Sequence, residues 1–179
     1  MISFIRATEK DHETIIAIGN ISVLAAHKDS ASAADLEEYM KNQYNEKAIK
    51  KELSNPGNIY HILYYNEEAV GFSKIVLNAA HAAIADRKVT KLDRLYLLPA
   101  HQDKKLGIEL LQFNIAYAKE YEQSGIWLFT WVGNTKAINF YLRAGFRVIG
   151  SHQFKISETH WNENHHMLLD LKREGHDGI

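Results

Sequence analysis

Apolar and polar positions alternate from the start of the chain, and Met1-Ile2-Ser3-Phe4-Ile5 reads as a short strand. Thr8 with Asp11 three residues later resembles a capping box, so a helix should follow with Ile15, Ile16, Val23 and Leu24 on one buried stripe. Ser32 with Asp35 marks a second helix start, whose apolar positions are Leu36, Tyr39, Met40, Ala48, Ile49 and Leu53. Ser54-Asn55-Pro56-Gly57 ends that helix in a turn. The composition then becomes β-branched and aromatic over residues 59–65 and 69–77, and the short Asn66-Glu67-Glu68 between them suits a hairpin. Residues 89–97 form the next strand, stopped by Pro99. From Leu106 the spacing turns helical, with Leu106, Leu110, Phe113, Tyr117 and Tyr121 as a stripe that should face a sheet. Residues 126–132 are a compact apolar run between Gly125 and Gly133, followed by a helix that Asn134 can cap and Gly145 can terminate. Residues 146–155 and 161–172 read as two closing strands. The order β-α-α-β-β-β-α-β-α-β-β mixes hairpins with two crossover helices. It predicts an α+β fold (α/β mixed) around a mixed central sheet.

With 179 residues and 46% apolar content the chain suits one domain, expected over 1–172, with 173–179 as a flexible tail. Twenty-one Lys and Arg against 22 Asp and Glu leave a formal charge of −1, without the basic excess that non-specific nucleic-acid binding needs. The absence of cysteine removes disulfides and thiolate zinc sites and fits a cytoplasmic location. No signal peptide is evident at the start. The longest apolar runs are strand-sized, short of the roughly 20 residues of a membrane-spanning helix, so no membrane partner is expected. Alternation along the last strand places His165 and His166 on opposite faces, and no metal site is expected. Trp127, Phe129 and Trp131 share one strand face, as core or as the wall of a substrate pocket.

The candidate chemistry lies where the 89–97 strand passes through a polar loop into the helix at Leu106. A helix start presents unpaired N–H groups and a positive dipole end, a geometry that receives phosphate. Lys104 and Lys105 add charge beside it, and Gly107 removes a Cβ where a ligand can approach closely. A solvated surface loop explains the lysines alone equally well.

A second segment, from Asn134-Thr135-Lys136-Ala137 through Phe140-Tyr141 to Gly145-Phe146, follows the next strand. Together the two segments resemble the GNAT superfamily of N-acetyltransferases. Gln102 and Gly107 match the first motif of that family; Asn134, Ala137, Phe140, Tyr141, Gly145 and Phe146 match the second, Asn-x-x-Ala-x-x-Phe-Tyr-x-x-x-Gly-Phe. Lys105 stands where the family has its first glycine, and Asp103 where glycine is frequent; a lysine fits there if its φ stays negative. From Asp93 to about Leu169 the likeness is strongest to the PaiA-like polyamine acetyltransferase subgroup, through Leu92-Asp93-Arg94-Leu95-Tyr96, Trp131 before Asn134, Gly150-x-His152-x-Phe154 and Met167-Leu168-Leu169. The first 90 residues match only in element order.

The resemblance implies a GNAT fold with two splayed parallel strands flanked by helices, and acetyl-CoA as co-substrate. The pantetheine arm would pair with the backbone of Leu97 and Leu98. The pyrophosphate would lie on the loop of Gln102, Asp103, Lys104, Lys105, Leu106, Gly107 and Ile108, and Asn134, Lys136 and Ala137 would border the cofactor. The reaction implied is acetyl transfer to a primary amine of a small molecule, with a polyamine such as spermidine as acceptor; the alternatives are a non-catalytic acyl-CoA-binding protein of the same fold, suggested by Lys105 and Asp103, and an acetyltransferase of protein N-termini or lysines. Oligomeric state is not legible in the residues; dimers are common among relatives, which makes a homodimer the implied partner arrangement. Tyr141 would be the general acid that protonates the leaving thiolate, with packing as its alternative role. Asp93 would be the base, or an exposed strand acid paired with Arg87, Lys91 or Arg94. Tyr96 and Trp131 would contact the acceptor, and Asp29, Asp35, Glu37 and Glu38 would supply charge for a cationic tail.

Overall fold

The computed structural model describes residues 1–172, so the expected 173–179 tail lies outside the described residues. Local signals set most of the boundaries. The Thr8 N–H donates to Asp11 Oδ2 at 2.7 Å and Thr8 Oγ1 accepts from the Lys10 N–H at 3.3 Å, so the capping box forms; a 3₁₀ turn over Glu9–Asp11 then feeds α1, His12–His27. Ser32 Oγ accepts the Asp35 N–H at 3.1 Å and starts α2, Ala33–Gln43. The helix expected to run on to Leu53 is instead two. Asn45 stops the first by donating from Nδ2 to the Lys41 carbonyl at 2.8 Å, and starts α3, Glu46–Ser54, by accepting the Ala48 N–H at 2.8 Å. Tyr44 at the break is 4% exposed, and a Cβ on Gly19 of α1 would lie 2.3 Å from its ring. The close approach of α1 therefore depends on glycine there.

The strands are β1 Ile2–Arg6, β2 Ile59–Tyr65, β3 Glu68–Val76, β4 Val89–Leu97, β5 Gly125–Trp131, β6 Arg147–Lys155 and β7 Trp161–Asp170. They form one seven-stranded sheet in the order β1-β2-β3-β4-β5-β7-β6. Asn66 and Glu67 take φ of +50° and +68° in the two-residue hairpin between β2 and β3. All pairings are antiparallel except β4 with β5, so the sheet is mixed, as its element order predicts.

Helices cover both faces. Ile15 and Ile18 of α1, Met40 of α2 and Ile49 of α3 pack on Tyr60, Ile62 and Phe72. On the other face, Leu106 and Leu110 of α4, Leu106–Glu120, pack on Leu63 and Val70. Leu111 and Ala118 of α4 and Tyr141 of α5, Thr135–Arg143, meet Ile126, Leu128 and Met167 there. The buried stripe of α4 is Leu106, Leu110, Leu111, Asn114 and Ala118; Phe113, Tyr117 and Tyr121 run along its flank, and Tyr121 is 49% exposed. Asn114 is accommodated in the core because its Nδ2 donates to the Leu110 carbonyl and its Oδ1 accepts from Ser73. No helix among the described residues is long and apolar enough to cross a membrane.

Candidate active site

Two irregularities in β4 create the site. Lys74 pairs with Arg94 and Ile75 with Leu92, which leaves Asp93 as the extra residue of a β-bulge. On its other edge β4 pairs with β5 only from Val89↔Gly125 to Lys91↔Trp127, and beyond Lys91 the two strands part. The Leu98 N–H donates to the Val70 carbonyl at 2.8 Å, which makes Gly71↔Leu97 a non-hydrogen-bonded pair of the antiparallel ladder. By that alternation the backbones of Tyr96 and Leu98 face β3, whereas those of Leu95 and Leu97 face the gap. The backbone of Leu97 thus faces the gap and that of Leu98 does not: the Leu98 N–H is taken by Val70 and its carbonyl by the His101 N–H. Leu95 is the second residue whose amide opens into the gap.

A cleft of about 960 Å³ leads away from the gap. Leu97, Gln102, Lys105, Gly107, Ile108, Asn134, Lys136 and Ala137 all line it. Asn134 also caps α5, accepting the Ala137 N–H at 3.1 Å, and Lys136 Nζ donates to Gln102 Oε1 at 2.8 Å, tying α5 to the loop. Pro99–Lys104 forms a 3₁₀ turn, and the first-turn amides of α4 follow it without intrahelical acceptors. Three expected side chains lie off the cleft. Leu106 is core, Lys104 Nζ sits 4.9 Å from the Tyr65 ring centroid, and Asp103 is exposed to solvent. Lys105 adopts φ 60° and ψ 10°, so the negative φ expected for a lysine is overturned: this position keeps the left-handed conformation that glycine meets without strain.

Phe140 of the second motif lines the cleft too, as do Arg143 and the small residues Ser22, Ala25 and Ala26 of α1, and these last four were not singled out in the sequence. Their signals were present: Arg143 is seven residues after Lys136, hence on the same face of α5, and the three small residues repeat at helical spacing.

A second cavity, of about 300 Å³, lies beyond the gap; Leu95, Tyr96, Asn134 and Ala137 border both spaces. Tyr141, Trp131, Phe129, Asp93, Glu52 and His27 are among its walls. Tyr141 is 9% exposed, between Phe140 and Phe146, and no hydrogen bond to its hydroxyl is found among the described residues. Burial pushes this phenol above its usual range, so it keeps its proton.

Asp93 lies in an ion network. Burial alone would raise its carboxyl, but Lys74 Nζ at 2.9 Å and Lys91 Nζ at 2.7 Å override that and bring it down to about 2. Such an anion accepts a proton poorly at neutral pH, which weighs against a base; of the ion-pair partners expected for it Lys91 is present, and Lys74 is an unforeseen one. Glu52 is likewise bound to Lys74 at 2.8 Å, to Arg94 at 3.5 Å and to the Tyr60 hydroxyl. His27, lowered by burial, is neutral at pH 7. Asp29, Asp35, Glu37 and Glu38 are not on the cavity wall, and Asp35 instead accepts from Ser157 Oγ at 2.6 Å. On β7, His166 is 2% exposed and His165 belongs to the opposite face.

Comparison with known proteins agrees with this geometry. The chain is 26% identical over 157 residues, 88% of its length and 91% of the relative's, to an uncharacterised N-acetyltransferase of the pepI 3′ region of Lactobacillus delbrueckii subsp. lactis. Its fold is similar to PaiA N-acetyltransferase from Thermoplasma acidophilum in complex with coenzyme A, with a TM-score of 0.76 at 21% identity over 95% of this chain and 99% of that one. It is also similar to the ribosomal-protein-S18-alanine N-acetyltransferase from Escherichia coli, with a TM-score of 0.70 at 15% identity over 100% and 99% of the two chains. The family model described as Acetyltransferase (GNAT) family matches residues 20–146. The mixed sheet splayed at β4 and β5 is thus accounted for: the chain belongs to the GNAT family and is an acetyl-CoA-dependent acetyltransferase.

Proposed function

We propose that the protein transfers acetyl to a primary amine of a small molecule that enters the 300 Å³ cavity. The carrying observation is that this cavity and the larger cleft share walls at Leu95, Tyr96, Asn134 and Ala137, with Tyr141 on the wall of the smaller one. Acetyl-CoA supplies the activated acetyl group. The cleft residues suit its charges: the amides of Leu106, Gly107 and Ile108 and the side chains of Lys105, Lys136 and Arg143 favour phosphate. Leu97 offers backbone donors and acceptors to an extended amide chain, and the Leu95 N–H can stabilise charge that develops on a carbonyl oxygen. Tyr141 holds a proton at neutral pH and can give it to a departing thiolate. His27 faces the acceptor side as a neutral imidazole able to take a proton from the incoming ammonium.

The polyamine assignment rests on the subgroup resemblance alone. Glu52 and Asp93 line the cavity with their charges already met by Lys74, Lys91 and Arg94. Thiol release from acetyl-CoA, followed against a panel of amines, tests the proposal: amine-dependent turnover that collapses in Tyr141→Phe supports it. Hydrolysis indifferent to every amine would end it.

A further inference from the structure

We propose that Asn162 and Asn164 of β7 form a subsite for the acceptor's tail, and that the tail they take is a neutral carboxamide. This rests on the acceptor reading above. The two residues are two apart on one strand and therefore share a face. Asn164 is registered with Trp131 of β5 and His152 of β6, and Asn162 with Phe154 of β6. Both line the acceptor cavity, and they are only 5% and 7% exposed.

One polar atom of each is not spent on the fold. Asn162 Nδ2 and Asn164 Oδ1 are buried without a hydrogen-bond partner among the described residues. The orientation of Asn162 follows from its neighbour. His160 Nε2 lies 2.9 Å from the Ser30 carbonyl, which can only accept, so Nε2 carries the proton. The Asn162 atom 2.8 Å from that nitrogen must then be the oxygen, and Nδ2 is left as the free donor. A buried donor and acceptor without partners are costly, whereas a ligand that answers both recovers their hydrogen bonds. A carboxamide carries the complementary carbonyl and N–H on one plane. The aromatic side chains of Phe129, Trp131 and Phe154 lie on the same walls. A second ammonium would instead meet Lys74, Lys91 and Arg94, with no unpaired carboxylate between them. A carboxylate tail would leave the Asn164 acceptor unanswered.

The test compares four amines of matched length with the wild-type protein: β-alaninamide, its hydrocarbon isostere 3-methylbutylamine, β-alanine and 1,3-diaminopropane. We expect kcat/KM for β-alaninamide to exceed each of the others by about tenfold or more, because unpaired polar groups penalise the analogues. Asn162→Leu, similar in size and without the donor, should bring the ratio of β-alaninamide to 3-methylbutylamine close to one; coenzyme A-induced thermal stabilisation verifies that the variant is folded. Parity of those two amines in the wild type, or preference for β-alanine or the diamine, overturns the subsite. An unchanged ratio in a folded Asn162→Leu variant overturns it too. Absence of turnover with all four, alongside turnover of some other primary amine, sinks the carboxamide tail alone; absence with every small primary amine sinks the small-molecule acceptor reading.

Discussion

Lys105 is a lysine in a glycine's conformation, and replacing it by glycine should move stability and cofactor affinity in opposite directions. At φ 60° its Cβ crowds its own backbone, a strain of about 1–2 kcal/mol for a residue other than glycine. Glycine removes that strain but has more unfolded freedom to lose, which takes back about 0.5–1 kcal/mol. The net gain for Lys105→Gly is about 0–1.5 kcal/mol, centred near 0.75, or a rise in Tm of up to roughly 6 °C for a chain of this size. Lys105 also lines the cofactor cleft beside the start of α4. Loss of its charge should therefore weaken coenzyme A binding roughly twofold to fivefold, an effect that added salt should shrink. Thermal unfolding without ligand gives the first quantity, and calorimetric titration with coenzyme A at two ionic strengths the second. Lys105→Ala separates the causes, since alanine keeps the Cβ and the strain while losing the charge: it should bind as weakly as the glycine variant and gain no stability. A glycine variant less stable than the wild type, or an alanine variant equally stabilised, would refute the assignment of strain to φ.

Tyr141→Phe removes only the phenolic proton and should lower kcat roughly 10²–10⁴-fold with little change in coenzyme A affinity; near-normal kcat would return Tyr141 to packing. Asp93→Asn leaves Lys74 and Lys91 without their shared counter-charge and should cost about 2–3 kcal/mol in chemical denaturation. The shape of its kcat profile between pH 6 and 9 should stay that of the wild type, because a group at about 2 titrates below that window; a lost limb would restore Asp93 as base. His61, 5% exposed, is pushed down to about 4, first by burial and then by Arg6. Between pH 6.5 and 4 the unfolded chain binds a proton that the folded chain refuses, so stability should fall on acidification through that window, by at most about 3 kcal/mol from this group. His61→Gln should flatten the slope, and an unaltered slope would exclude His61 as its source.

What the chain reveals as sequence follows the range of the interactions involved. Ser32 and Asn134 cap the helices they announce, and Thr8 caps the 3₁₀ turn that leads into α1, because each bond reaches only two or three residues along the chain. The limits of β4 and α4 are equally local, since Pro99 and a change of period mark them. Asn45 was hidden because it interrupts a stripe that stays apolar on both sides, so periodicity alone reads one helix where a cap makes two. Asp93 was recognised as a wall of the site, but its chemistry is decided by Lys74 on the neighbouring strand, 19 residues earlier, at a bulge that no local pattern marks. Alternation likewise told which residues of β4 share a face, yet which backbone amides open into the gap depends on the register with β3, set by a single bond from Leu98 to Val70. The acceptor side is least legible of all for the same reason. That Asn162 and Asn164 share a face can be read from the strand, whereas their unpaired atoms become evident only when every neighbouring donor and acceptor has been counted.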